Sequence, residues 1–205
     1  MADSRDARAL TSTRVGAVRL QRDFIKEEPL SPQRRSFLQA FIQGSLEPAV
    51  DKVLRRIKSG EKPVLVATRG TAMAIGALAA VEDDRPPLKF HGYKVSRSRL
   101  DRVVERLVVM TPAQRREMSA INDRRAEIIV PGALILQTTM KMLAVDGLVL
   151  SERALREGLI VDWMLRQGLL EDRFSFQSSI RQRTVIHQVQ PVSYTHLTLP
   201  TKRIV

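Results

Sequence analysis

The sequence predicts an α/β domain, and three observations carry this prediction. Apolar runs short enough for buried strands occupy residues 63–69 and 147–151. Each run is followed at once by a segment whose apolar residues recur at helical spacing, and strands that alternate with helices are typical of α/β folds. The 205 residues are 43% hydrophobic, which is enough for a buried core. We therefore expect a helix-rich domain around a small sheet.

The first third of the chain predicts one strand and two helical segments. Residues 8–15 alternate as a strand does, and a short stretch with helical spacing follows them. Ser31 is a candidate N-cap with Pro32 at the first helical position, and the helix that they begin is expected to end at Gly60. Because proline cannot donate a backbone hydrogen bond, Pro48 predicts either a kink or two separate helices.

The next segment combines a strand, a glycine turn and a helix. The buried strand at 63–69 leads to a helix that starts at Gly70 or Thr71. Residues 85–95 are rich in proline and aromatic side chains, and they predict a loop. Ser96 is expected to cap a helix with one apolar face, which consists of Leu100, Val103, Val104, Leu107 and Val108.

The last part of the chain predicts further helices and one strand. Thr111 and Pro112 begin a short helix, and residues 123–143 form a helix that is interrupted or restarted at Pro131. The strand at 147–151 follows it. The remaining predicted elements are a helix over 154–166 that stops at Gly168 and the start of another helix over 175–190.

The charge balance favours a polyanionic partner. Lys and Arg number 34 against 22 Asp and Glu, which gives a net charge of +12 spread along the chain. Such a balance attracts polyphosphate, nucleotides or nucleic acid, and it says nothing about the fold. The absence of cysteine excludes disulfides, thiolate catalysis and cysteine zinc sites. Neither a signal peptide nor an apolar run of about 18 residues is visible, so we expect a cytoplasmic protein without a membrane span.

The last residues, 191–205, break with the pattern of the rest. Their sequence, PVSYTHLTLPTKRIV, resembles the conceptual translation of a transposase sequencing adapter, and fold reasoning therefore excludes them. The alternative is a native β-rich terminus. Without Lys202 and Arg203, the only charged residues of this tail, the net charge is still +10. The basic balance does not depend on the tail.

Gly70 and Thr71 stand where a predicted strand turns into a helix. Backbone N–H groups at such a turn can face an anion, and the helix dipole adds to the attraction. In open α/β sheets, ligands bind at the carboxyl ends of the strands. A lone Gly-Thr pair is not a phosphate loop, and a tight turn capped by Thr71 is the alternative.

Five polar residues crowd the turn after the second buried strand. Ser151 can cap the following helix, and Glu152 lies near the positive end of that helix. Arg153 and Glu157 are four residues apart, a spacing typical of a helical ion pair. Helix capping, the helix dipole and the ion pair do not account for Arg156. The turn is therefore a candidate site.

Two further groups of residues have open roles. Arg124, Arg125 and Glu127 precede an apolar helical stretch, where they can pair with the turn after the second strand or simply form a solvated helix start. His91 and His187 are the histidines outside the tail, and neither has a carboxylate or second histidine at metal-ligand spacing. We predict structural or surface roles for both.

Four segments in order resemble the exopolyphosphatase and guanosine pentaphosphate phosphohydrolase (Ppx/GppA) family. They are VGAVRLQRDFI, VLVATRGTAMAIGAL, NDRRAEIIVPGALIL and LVLSERALREGLIVD. The resemblance covers 8–190 and implies an α/β fold, namely a partial second lobe of the actin-like ATPase and sugar kinase (ribonuclease H-like) fold, helix-rich and truncated at both ends. It divides the chain into that lobe at 1–172, the start of a C-terminal helical domain at 173–190, and the non-native tail at 191–205.

The resemblance implies a two-lobed hydrolase with a cleft between the lobes. Such enzymes remove the terminal phosphate of inorganic polyphosphate or convert guanosine pentaphosphate to tetraphosphate. Two glycine-rich loops hold phosphates and Mg2+, and a glutamate of the first lobe activates water. Physically this is phosphoryl transfer by positioning and charge neutralisation. The resemblance also implies a homodimeric parent. The lack of a long apolar run predicts no membrane partner.

This sequence departs from the family pattern. It contains neither glycine-rich loop and no first lobe, so we expect an inactive fragment whose residues bind no Mg2+. Arg69 stands where family members commonly carry a small residue. The alternative function is a non-enzymatic basic module for polyanions or nucleic acid. Nucleic acid is disfavoured because no aromatic platform accompanies the basic residues.

The resemblance places the two turns at the floor of the cleft, and none of their residues is expected to be catalytic. The phosphate-proximal or cleft candidates are Gly70, Thr71, Ser151, Arg156 and Glu157. The candidates for bracing the lobes are Arg124, Arg125, Glu127 and Arg153. Arg156 and Glu157 brace the second phosphate loop, or Arg156 contacts the polyanion itself; both roles stay open.

Overall fold

The computed structural model describes residues 1–2, 7–68, 70–84 and 86–169. In these ranges the elements are α1 (Ala17–Phe24), α2 (Pro32–Leu54), β1 (Leu65–Thr68), α3 (Gly70–Ala80), β2 (Lys94–Ser96), α4 (Arg97–Val108), α5 (Pro112–Arg116), α6 (Asp123–Met142), β3 (Gly147–Ser151) and α7 (Leu155–Arg166). Arg69, the predicted helix at 175–190 and the tail lie outside the described residues.

The chain divides into two units. One comprises residues 11–160 and contains the sheet, and the other combines residues 1–10 with residues 161–205. Within the described residues of the second unit, Arg166 pairs with Asp162 at 2.8 Å, one helical turn apart. All candidate site residues belong to the first unit.

The three strands form a mixed sheet in the order β1-β3-β2. β1 runs parallel to β3 with Thr68 opposite Ser151, and β2 runs antiparallel to β3 with Lys94 opposite Val149. Thr68, Ser151 and the residues that precede Lys94 therefore lie at one end of the sheet, the carboxyl end. The predicted α/β architecture is confirmed.

The core is built around α6. Each of the helices α1 to α5 packs against it. Six of its apolar residues are fully buried: Ala126, Ile129, Val130, Ala133, Leu134 and Met140. α6 continues through Pro131, so the predicted interruption of this helix is wrong. α2 continues through Pro48, so the alternative of two separate helices there is also wrong. A proline costs a helix about 3 kcal/mol. Each buried large apolar side chain contributes roughly 1.5–3 kcal/mol, so several of them outweigh one proline.

Two strand predictions and one helix end are wrong. Residues 7–15 form no strand: Ala9 exchanges backbone hydrogen bonds with Met1, but the segment joins no strand of the sheet. β2 begins inside the predicted loop at 85–95, and just before it the Leu150 N–H donates to the Tyr93 carbonyl at 2.9 Å. α2 ends at Leu54 and not at Gly60, which turns the chain with a φ of 83°.

The predicted helix starts are confirmed by their caps. Ser31 and Ser96 each accept a hydrogen bond from the backbone N–H three residues on, at 3.2 and 3.3 Å. Thr111 forms a capping box with Gln114. Asn122 caps α6 at 3.0 Å. The five apolar residues predicted on one face of α4 are all buried.

A polar cluster joins the end of α3 to β2 and α4. The Tyr93 hydroxyl donates to Asp83 at 2.5 Å, and the Arg99 guanidinium forms an ion pair with the same carboxylate. Arg99 also donates to the Tyr93 hydroxyl at 3.0 Å. The Tyr93 hydrogen bond, followed by Arg99, lowers the pKa of Asp83 against the opposing effect of desolvation.

Acidification is expected to remove the stability that Asp83 contributes. A lowered carboxyl pKa stabilises the folded state above the unfolded pKa, and this contribution is lost as pH falls through the folded pKa. Asp83→Asn has no charge to lose, so its stability deficit against the unaltered chain should shrink on acidification. Urea midpoints between about pH 7 and about pH 3 measure this. A constant deficit would contradict the interpretation.

Candidate phosphate-binding site

The two predicted turns lie side by side at the carboxyl end of the sheet. Gly70 begins α3 after β1, Ser151 ends β3, and the parallel pairing sets Thr68 opposite Ser151. The first N–H groups of a helix have no partner within it and carry partial positive charge. Because ligands of open α/β sheets bind at this end, the geometry suits an anion.

The guanidinium group of Arg125 lies over the first residue of α3. A Cβ on Gly70 would be 3.2 Å from both Nε and Nη2 of Arg125. Arg125 is half-buried, and its guanidinium has no hydrogen-bond or ion-pair partner among the described residues. A cation at the positive end of a helix costs about 0.3–1 kcal/mol. An anion between the helix and the guanidinium would remove that repulsion.

Close packing of α6 against α3 sets this geometry. A Cβ on Gly132 would lie 2.5 Å from Thr71 Cγ2 and 3.1 Å from Thr71 Oγ1. Only glycine fits at this position unless Thr71 moves, because packed atoms do not approach so closely. The contact therefore fixes the start of α3 relative to the helix that carries Arg125.

The polar residues after β3 make contacts that differ from the predicted ones. Ser151 does not cap α7; its Oγ donates to the Arg153 carbonyl at 2.9 Å. Glu157 accepts from the Ala154 N–H at 2.8 Å and so helps to cap α7, which begins at Leu155. Arg153 precedes α7, so it cannot form the helical ion pair with Glu157 that the spacing predicts. The residues between Ser151 and Leu155 connect β3 to α7, and the helix itself begins only at Leu155.

Glu152 fastens the loop before β2 to the carboxyl end of the sheet. Its Oε1 accepts from the Phe90 N–H at 2.9 Å, and the Gly92 N–H donates to the Leu150 carbonyl at 2.8 Å. From the sequence, Glu152 is expected only to interact with the dipole of the following helix, and residues 85–95 are expected only to form a loop. Phe90 and Glu152 are 62 positions apart, so no local pattern indicates the bond.

The remaining candidates lie on exposed surface. Arg124, Arg153 and Arg156 are exposed, and their guanidinium groups have no partner among the residues that the structure describes. Glu127 accepts from Arg116 at 3.2 Å, which joins α6 to α5. The structure thus brings Arg125 to the Gly70 turn and leaves Glu127 in a surface ion pair.

Arg115 and Glu28 form a buried ion pair that the sequence does not indicate. The Arg115 side chain is 0% exposed and the Glu28 side chain 6%, with 2.7 Å between nitrogen and oxygen. Arg115 also donates to the carbonyls of Met110 and Ala126. It therefore ties the loop before α2 to α5 and α6. In the sequence, Arg115 looks like any basic residue of a short surface helix.

The described residues do not by themselves fit a magnesium site. In the ranges that the structure describes, no three His, Asp or Glu side chains are grouped so that they could hold a metal ion. Magnesium needs carboxylate, phosphate or water oxygens arranged around it. No helix in the same ranges is both long and apolar enough to cross a bilayer.

Comparison with known proteins decides the family. Residues 1–167 match the model of the Ppx/GppA phosphatase family. The chain belongs to this family. The Ppx/GppA chain is 30% identical over 149 residues to exopolyphosphatase 1 of Mycobacterium leprae (strain TN), which covers 72% of the chain and 42% of that protein. It is 26% identical over 188 residues to the guanosine-5'-triphosphate,3'-diphosphate pyrophosphatase of Vibrio vulnificus (strain YJ016), covering 87% of the chain and 36% of that protein.

Solved structures confirm the fold. The Ppx/GppA family member of Aquifex aeolicus superposes with a TM-score of 0.61 at 25% identity, over 74% of this chain and 47% of that one. An exopolyphosphatase from Cytophaga hutchinsonii gives a TM-score of 0.65 at 19% identity, over 77% and 49%, and shows the fold alone. The Ppx/GppA chain has the α/β, actin-like ATPase fold and spans less than half the length of these relatives.

Proposed function

We propose that this Ppx/GppA chain supplies one wall of the phosphate-binding crevice of a phosphohydrolase. Its substrate is inorganic polyphosphate or guanosine pentaphosphate, the substrate types that the names of its relatives indicate. One observation carries the proposal: the unpaired Arg125 guanidinium lies over Gly70, at the positive end of α3. Helix N-termini and guanidinium groups both bind phosphate.

In this proposal, the residues at the carboxyl end of the sheet bind and orient phosphate. The N–H groups at the start of α3 and the Arg125 guanidinium neutralise the charge of one phosphate group. Arg156, Glu157 and Ser151 line the same end, with Arg156 as a further polyanion contact. Mg2+ and the water-activating glutamate belong to other parts of the parent enzyme. A homodimeric parent and a cytoplasmic location stay predictions.

Arg125→Ala is expected to weaken tripolyphosphate binding roughly tenfold, since it removes a charge-assisted contact of about 1.4 kcal/mol. Arg124→Ala is the matched control, because it removes the same charge from the same first turn of α6. We expect the control to change affinity by no more than about twofold. Calorimetric titration at one ionic strength measures all three chains. Equal losses in both variants would contradict the proposal and favour a nonspecific basic surface.

The chain alone is expected to release no phosphate from long-chain polyphosphate in the presence of Mg2+. The physical reason is that binding a phosphate group does not activate the attacking water. The measurement is phosphate release beside an intact exopolyphosphatase. Comparable turnover would contradict the inactivity.

The second candidate function is a basic polyanion-binding module without chemistry, which the net charge of +10 outside the tail favours. Such a module would also release no phosphate. Such a module would lose similar affinity for tripolyphosphate in Arg124→Ala and Arg125→Ala, whereas the proposed crevice would lose more in Arg125→Ala. These two variants therefore distinguish the two candidate functions.

A further inference from the structure

Residues 86–92 form a loop that reaches the carboxyl end of the sheet beside β2. Because β2 is antiparallel to β3, residues just before Lys94 lie next to residues that follow β3. The Phe90 and Gly92 N–H groups donate to Glu152 Oε1 and to the Leu150 carbonyl. The backbone on both sides of His91 is therefore fixed.

The loop is also held by apolar packing. Phe90 is partly buried against the core, and its ring meets the edge of Tyr93 with 5.7 Å between centroids. A Cβ on Gly76 of α3 would lie 3.6 Å from Phe90 Cδ1, so the ring rests near α3. Lys89 and His91 thus flank an anchored residue.

Lys89 and His91 are exposed cationic or hydrogen-bonding side chains without a partner among the described residues. An exposed lysine alone is no evidence of a site, because most lysines are solvated. Here the backbone is fixed and stands at the end of the sheet where ligands bind. Glu152 is an acid beside this loop, and its Oε1 accepts from the Phe90 N–H.

At the carboxyl end of the sheet, basic residues therefore stand beside each of the three strands in turn. Arg125 lies at the turn after β1, Arg153 follows β3, and Lys89 with His91 precedes β2. Neighbouring strands are about 4.8 Å apart, so the row extends over roughly 10 Å. One phosphate group occupies one position of this row, whereas a linear phosphate chain can occupy all of it.

We propose that loop 86–92 is a second phosphate subsite, in which Lys89 and His91 bind a linear phosphate chain beyond the group held at Arg125. This inference rests on the proposed function and deepens it, because the second subsite extends from the first. It assigns the loop to recognition of chain length and gives it no part in cleavage.

The test compares a short ligand with a long one. Lys89→Ala should lower the affinity for long-chain polyphosphate about fivefold and leave the affinity for pyrophosphate within about twofold. His91→Ala should act in the same direction. Lys62→Ala is the matched control, because Lys62 is an exposed lysine before β1, at the opposite end of the sheet. Calorimetry at one ionic strength gives each affinity.

Each outcome bears on a different claim. The subsite is supported if Lys89→Ala affects the long chain more than Lys62→Ala does and spares pyrophosphate. It is overturned if the two lysine variants behave alike, or if Lys89→Ala weakens both ligands equally. If the unaltered chain binds neither ligand, or if Arg125→Ala leaves pyrophosphate binding unchanged, the proposed function itself fails.

Discussion

Glu28→Ala is expected to lower the free energy of unfolding by about 3–5 kcal/mol, because it leaves a buried cation without its counter-ion. The Arg115 side chain has no exposed surface, and it keeps its bonds to the carbonyls of Met110 and Ala126. Those dipoles do not replace a carboxylate. Domains are stable by only about 5–15 kcal/mol, so the loss would be a large fraction of the total. Urea unfolding at neutral pH measures it.

Glu127→Ala is the matched control for this prediction. Glu127 pairs with Arg116, the neighbour of Arg115, but the two side chains are 59% and 43% exposed. An exposed pair contributes about 0–1 kcal/mol, so this variant should unfold close to the unaltered chain. Similar losses in Glu28→Ala and Glu127→Ala would show that the Arg115 pair is not buried as the structure has it.

Gly132→Ala is expected to destabilise the fold by about 1–3 kcal/mol through overpacking. The new methyl group would lie 2.5 Å from Thr71 Cγ2, so either Thr71 or the start of α3 must move. A movement of α3 also shifts Gly70 away from Arg125, and we therefore expect weaker tripolyphosphate binding in the same variant. Urea unfolding and calorimetric titration measure the two effects.

Two variants test the cause of this destabilisation. Gly44→Ala places a methyl group in α2 where no atom lies within 4 Å, so it should stabilise the chain by roughly 0.5–1 kcal/mol. Adding Thr71→Ser to Gly132→Ala removes the methyl group that clashes and should recover most of the loss. A Gly132→Ala chain as stable as the unaltered one would contradict the close packing of α3 and α6.

Helix starts could be predicted because their signals are local. Ser31, Ser96 and Thr111 each lie directly before a helix, and their caps involve residues three positions away. Strand pairing is not local. Lys94–Ser96 became a strand by pairing with β3, about fifty positions on, whereas residues 8–15 are not part of the sheet that the structure describes.

The candidate site could be predicted in part for the same reason. Gly70 follows one apolar strand and Ser151 ends another, and the parallel pairing of the two strands is typical of α/β folds. The position of Arg125 over Gly70 depends on how closely α6 crosses α3, which no spacing in the sequence specifies. The hydrogen bond between Glu152 and the loop before β2 could not be predicted either, because it joins residues that only the folded chain brings together.

The most direct test of the account is to map where phosphate binds. Backbone amide chemical shifts of the whole chain can be followed during titration with tripolyphosphate. We predict that the largest saturable changes fall on Gly70, Thr71 and Arg125. Saturable changes confined to the basic end of α2, at Lys52, Arg55 and Arg56, with the Gly70 amide unchanged, would contradict it.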